Sequence, residues 1–239
     1  MKKTIIAISF ILIFALSLAL PVYAALVNVS LGMSYTLSAN PSGSYADDGK
    51  MLTDGVHGTK VGESYHKSGT YVGIPATSID QNGCFSVTVD LGEVKTDITG
   101  FDLYYAAETD SNVYAPEYAE FFVSEDGENY TVAGKVMSGE STESGIVKAG
   151  VINIRLNAGV KARYVKFVIK NPLYVIGEPE SVANVGWMFI DEVSVLQDDG
   201  KTPEMGDMLI IPLLNSAGII SAGAGAYALI MSKKNRKKG

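Results

Sequence analysis

Phe85-Ser86-Val87-Thr88-Val89-Asp90-Leu91-Gly92 places an apolar side chain at every second position and a polar one between. Successive side chains leave a β-strand on opposite sides, so a period of two reads as a strand with one buried face. The pattern recurs outward from this stretch. Phe101, Leu103 and Tyr105 flank Asp102 and Tyr104; Ile152, Ile154 and Leu156 flank Asn153 and Arg155; Val165, Phe167 and Ile169 flank Lys166 and Val168. No long stretch between the chain ends carries apolar residues at the three-and-four spacing of an amphipathic helix. Asp48-Gly49, Asp54-Gly55, Asn82-Gly83 and Asp126-Gly127 supply turn chemistry between the strands. Many short alternating strands separated by such turns predict an all-β antiparallel sandwich or barrel.

The two ends have a different composition. Lys2 and Lys3 precede an almost wholly apolar run, and Val22-Tyr23-Ala24 places small residues where a signal peptidase reads, so residues 1–24 are expected to be a secretory signal, with an uncleaved anchor as the alternative. Residues 208–231 form a second apolar run, long enough at ~1.5 Å per residue to cross a ~30 Å hydrocarbon core with tilt. Lys233, Lys234, Arg236, Lys237 and Lys238 follow, so residues 232–239 read as a basic cytoplasmic tail and the remainder lies outside the cell. Thr202-Pro203-Glu204-Met205-Gly206 before the span resembles the sortase signal of Gram-positive bacteria, Leu-Pro-x-Thr-Gly, with Thr202 in place of Leu and Met205 in place of Thr. The expectation is a cell-surface, single-pass membrane protein, with cell-wall attachment as the alternative. Residues 25–198 form one domain and 199–207 a linker.

The formal charge of −7 conceals an asymmetry. Two of the 19 basic residues lie in the signal and five in the tail, leaving 12 against 25 acidic residues, about −13 for the exported part. Such a domain repels nucleic acid, and nucleic acid is not an expected partner. Cys84 is the single cysteine, which excludes an intrachain disulfide and reads as a buried small apolar residue.

Six short motifs follow one another in a meaningful order: Asn28-Val29-Ser30-Leu31-Gly32, Leu52-Thr53-Asp54-Gly55, Val87-Thr88-Val89-Asp90-Leu91-Gly92, Val123-Ser124-Glu125-Asp126-Gly127-Glu128-Asn129-Tyr130, Ala162-Arg163-Tyr164-Val165-Lys166-Phe167 and Ile190-Asp191-Glu192-Val193-Ser194-Val195. In this order they resemble the discoidin, or coagulation factor 5/8 type C, domain, whose fold is shared by the carbohydrate-binding modules of family 32. The resemblance implies an antiparallel jelly-roll β-sandwich of galactose-binding type. It also implies a structural calcium site, with Asp54 and Thr59 from the Asp-Gly loop, Glu192 from the last strand, and carbonyls near Lys50 and Met51. The alternative is that Asp54 makes only a turn and Glu192 only a surface charge.

A sugar has an apolar face and a polar rim, so its site combines aromatic platforms with hydrogen-bonding groups. Tyr65, His66 and Tyr71 lie in a long Gly- and Ser-rich loop, Tyr114 in the loop after Tyr105, and Trp187, the only Trp, just before the last strand. These five are the candidate ligand residues, against the alternatives of core packing for Trp187 and ordinary loop positions for the others. No nucleophile elbow, zinc motif or phosphate loop is present. The expected function is a surface-anchored, non-catalytic module that recognises carbohydrate through its loops. A protein-binding adhesin or docking module is the alternative, and a glycoside-processing enzyme is less expected.

Overall fold

The apolar rows of the alternating segments meet between two antiparallel sheets. The computed structural model describes residues 26–174 and 186–200. The expected signal, membrane span, basic tail and the 202–206 pentapeptide lie outside the described residues, and no helix among the described residues is long and apolar enough to cross a membrane.

The strands are β1 Leu26–Asn28, β2 Ser34–Leu37, β3 Val72–Pro75, β4 Cys84–Glu108, β5 Tyr118–Ser124, β6 Thr131–Met137, β7 Val147–Lys170 and β8 Trp187–Asp198. Single 3₁₀ turns at Gly43–Tyr45, His66–Ser68, Ala76–Ser78 and Thr109–Ser111 complete the regular structure among the described residues. One sheet runs β2, the first half of β4, the second half of β7, β5 and β6. In the other, the second half of β4 lies between β8 and the first half of β7, while β1 and β3 pair with opposite ends of β8. The expected all-β sandwich is therefore observed.

One expectation needs correction. The segments around Phe85 and Phe101 read as separate strands, as do those around Ile154 and Phe167. Each pair is one continuous strand that passes from one sheet to the other. Pairing slips between Asp90 and Gly100, where Lys95 faces Ala162 and Ile98 faces Val160. Such irregularities bend a strand without ending it, and alternation on either side does not reveal that the bend stays paired.

The core joins the sheets through Phe101, Phe121 and Phe167. Phe101 stacks on Phe121 at 5.4 Å and meets Phe167 edge-on at 6.2 Å, while Phe121 and Phe167 meet edge-on at 5.5 Å. All three are fully buried.

Several of the short motifs prove to be fastenings. Asn28 Oδ1 accepts hydrogen bonds from the Ser30 N–H at 3.0 Å and hydroxyl at 2.6 Å, and Val195 N–H donates to Ser30 Oγ at 2.9 Å, which ties the end of β1 to β8. Ser124 and Asp126 cap the β5–β6 hairpin through the N–H groups of Gly127, Glu128 and Asn129. Gly127 there has φ near +80°, and the Tyr164 ring packs 3.1 Å from where a Cβ would stand. Arg163 binds Asp90 through two hydrogen bonds of 2.8 and 3.0 Å, which hold the Asp90 carboxyl below the usual carboxylate range.

Candidate functional site

Where β4 ends and β8 begins, aromatic side chains gather at one end of the sandwich. Phe189, on β8 and buried, forms the floor. Tyr45 packs edge-on against it at 4.7 Å, Trp187 lies at 6.1 Å, and His66 at 6.0 Å. Tyr45 also meets Trp187 edge-on at 5.9 Å. Tyr45, His66, Ser111, Val113, Trp187 and Phe189 line an open depression of about 210 Å³.

The backbone explains why these rings converge. Tyr45 sits on a 3₁₀ turn whose close approach requires a glycine opposite, since a Cβ on Gly73 would stand 2.7 Å from the Tyr45 Cβ. Trp187 is held by its N–H to the Asn112 carbonyl at 2.7 Å and by its own carbonyl, which accepts from Tyr114 N–H at 2.9 Å. Asn112 takes the left-handed conformation, φ 55°, which asparagine tolerates better than most residues.

His66 is oriented by a carboxylate. Glu108, the last residue of β4, is 3% exposed. Its Oε1 accepts from the N–H groups of His66, at 2.8 Å, and Tyr65. Its Oε2 accepts from the Ser64 hydroxyl at 2.6 Å and lies 2.7 Å from His66 Nδ1. Burial alone pushes the Glu108 carboxyl up, but the hydrogen bonds from Ser64, His66 and Tyr65 outweigh it and hold the group below its ordinary range. His66 Nε2 has no partner among the described residues.

A second carboxylate system lies on β8. The pairing of Tyr104 with Glu192 and Tyr105 with Ile190 leaves Asp191 as the extra residue of a bulge, so two successive carboxylates serve one loop. Asp191 accepts from Gly58 N–H at 3.0 Å and lies 3.0 Å from His57 Nδ1, and the His57 ring packs on Tyr104 at 4.3 Å. Burial pushes the Asp191 carboxyl up despite these bonds. Glu192, 1% exposed, accepts from Gly55 N–H at 3.1 Å through Oε2, while its Oε1 is buried with no hydrogen-bond partner among the described residues. Burial, with the nearby charges of Asp54 and Asp191, pushes the Glu192 carboxyl up to about 7.

Of the five residues read as ligand candidates, His66 and Trp187 line the depression. Tyr65 is half-buried and packs against the same aromatic cluster. Tyr71 lies beneath it, 2% exposed, its ring 6.5 Å from Phe189. Tyr114 lies beside the Trp187 backbone, its ring against Gly186. Of the three metal candidates, Glu192 is buried in the bulge, Asp54 is exposed and accepts from Val56 N–H at 2.8 Å, and Thr59 is exposed. Tyr45 and Glu108 did not emerge from the sequence. Glu108 carried one usable signal, a carboxylate ending a strand otherwise rich in apolar residues. Tyr45 carried none: it ends a short 3₁₀ turn in another loop, and only its packing on Phe189 brings it to the depression.

The F5/8 type C domain family model matches residues 41–183. No curated protein sequence matches the chain. Among solved structures, the Clostridium perfringens module CpGH89CBM32-5, in complex with GalNAc-beta-1,3-galactose, is similar at 20% identity, covering 72% of this chain and 99% of that one, with a TM-score of 0.45. The family 32 carbohydrate-binding module of C. perfringens NanJ, in complex with galactose, is similar at 14% identity, covering 73% and 100%, with a TM-score of 0.43. A fucolectin from striped bass (Morone saxatilis) serum is similar at 17% identity, covering 72% and 49%, with a TM-score of 0.45. With the family model matching more than half its length, and with the six motifs serving as fastenings, turns and site loops of one β-sandwich, this chain belongs to the F5/8 type C domain family.

Proposed function

We propose that this chain is a non-catalytic binding module that takes carbohydrate in the depression between Tyr45, His66 and Trp187. The observation that carries the reading is the convergence, from four separate chain segments, of aromatic faces with a histidine nitrogen and Ser111 at one open end of the sandwich. Aromatic rings suit the apolar face of a sugar, and the imidazole and hydroxyl suit its rim. Export by residues 1–24 and anchoring by residues 208–231 put the module at the cell surface, where many copies would raise a modest single-site affinity.

The side chains near the depression are poorly arranged for hydrolysis. Ser64, His66 and Glu108 have the composition of a triad, but Ser64 Oγ and Glu108 both meet the same nitrogen, Nδ1. A working triad needs the acid on one ring nitrogen and the nucleophile on the other.

Calcium at the β8 bulge is part of the same proposal. The orphaned Glu192 Oε1 and the neighbouring Asp54 suit a hard cation that takes oxygen ligands. They would hold it with carbonyls of the Asp54 loop, and the ion would act as a clip on that loop.

The test uses the full chain in detergent on an array of immobilised mono- and disaccharides, with galactose and fucose among the probes. Specific retention, reduced about tenfold or more by Trp187→Ala or Tyr45→Ala, is expected. Retention that neither substitution alters, or none on any sugar, would overturn the reading.

A further inference from the structure

The cradle around Glu108 decides which hydrogen-bonding group the depression offers. Two oxygens and one nitrogen form a triangle: Ser64 Oγ to Glu108 Oε2 at 2.6 Å, Ser64 Oγ to His66 Nδ1 at 2.7 Å, and His66 Nδ1 to Glu108 Oε2 at 2.7 Å. An ionised carboxylate only accepts hydrogen bonds. The Ser64 proton is therefore directed to Glu108, which leaves Ser64 Oγ as an acceptor toward the ring. Both groups facing Nδ1 are then acceptors, so Nδ1 carries the hydrogen. In the neutral ring Nε2 is bare, and it belongs to a side chain lining the depression with no partner for that atom among the described residues.

We propose that Glu108 is the positioning residue of this site: it fixes His66 in the Nδ1–H tautomer, so that the depression presents Nε2 as a hydrogen-bond acceptor and selects ligands that place a hydroxyl donor there. The inference rests on the reading that the depression binds sugar, and it narrows that reading to sugars with a free hydroxyl at this point. The N–H groups of Tyr65 and His66, both held by Oε1, fix the backbone while Oε2 fixes the ring. One side chain thus sets both the position and the polarity of the contact.

The chain has two histidines, so His57→Gln leaves a single ring to observe. Ring ¹⁵N spectra of that variant at about pH 8, where an ordinary histidine is neutral, are expected to report Nδ1–H for His66. Glu108→Gln keeps the shape and the acceptor for the two backbone N–H groups but turns an amide NH₂ toward Nδ1. The ring is then expected to switch to the Nε2–H form, and retention on the hydroxyl-bearing sugars of the array to fall about tenfold or more. A ring that keeps the Nδ1–H form in folded Glu108→Gln would overturn the assignment. So would an Nε2–H ring in the parent. If Glu108→Gln unfolds, Ser64→Ala serves as the second variant: it removes one acceptor but leaves Oε2 facing Nδ1, and loss of the Nδ1–H form there would also overturn the assignment. The tautomer is read without ligand, so a chain that binds no sugar but switches as expected would refute the carbohydrate reading alone.

Discussion

Glu108 and Glu192 are both buried glutamates on neighbouring strands, and each holds a loop by its backbone N–H groups, yet they are opposite kinds of site. Glu108 has both oxygens occupied by donors from Ser64, Tyr65 and His66. Glu192 has one donor, Gly55 N–H, and one oxygen with none. The surroundings therefore favour the charge of the first and oppose that of the second, and their carboxyls move in opposite directions. A carboxylate with all its lone pairs engaged is a finished structural part. One left half-satisfied in a buried position calls for a proton or a cation.

The largest test of this contrast is deletion of each partner. Glu108→Ala strands the Ser64 hydroxyl, two N–H groups and Nδ1, so it is expected to cost about 3–5 kcal/mol in urea denaturation. Glu192→Gln keeps an acceptor for Gly55 and removes a poorly solvated charge. In EDTA at neutral pH it is expected to leave stability unchanged or raise it by about 1–2 kcal/mol. Equal losses from the two substitutions would erase the distinction.

The pH response sharpens the contrast. The folded carboxyl of Glu192, near 7, lies above the ordinary value of 4.5. Its contribution is thus fully present below the unfolded pKa and is lost as pH rises through about 7. In EDTA, stability is expected to fall by roughly 2–3 kcal/mol between about pH 5 and pH 8, and this slope should vanish in Glu192→Gln. Glu108 works in the other sense: its contribution is present above its ordinary pKa and is lost only as pH falls through its lowered value.

Calcium should complete Glu192 and do nothing for Glu108. Adding it at about a hundred times its dissociation constant is expected to stabilise the chain by ~2.7 kcal/mol at neutral pH. The gain should shrink at acidic pH, where protons compete, and disappear in Glu192→Gln. Differential scanning calorimetry in calcium and in EDTA checks this. The smallest expected effect belongs to His57→Gln, whose exposed ring gives Asp191 one hydrogen bond. A loss of about 1 kcal/mol or less in the same calorimetry is expected, and a larger loss would mean that Asp191 depends on His57 more than on Gly58.

The alternation around Phe85, Phe101, Ile154 and Phe167 was enough to predict an all-β fold, because a period of two is local and a buried face requires it. The Asp-Gly pairs marked turns for the same local reason: Gly49, Gly55, Gly83 and Gly127 all have positive φ. The motif order pointed to the family. Only the tertiary structure brought Tyr45 from one loop, His66 from another and Trp187 from β8 around Phe189. Only it turned Ser30 into a lock on β8 and set Glu108 and Glu192 apart. A carboxylate's state depends on the donors that reach its oxygens, and for both glutamates the donors arrive from residues 42 to 137 positions away in the chain. Local patterns decide which strands form; distant donors decide what each buried charge becomes.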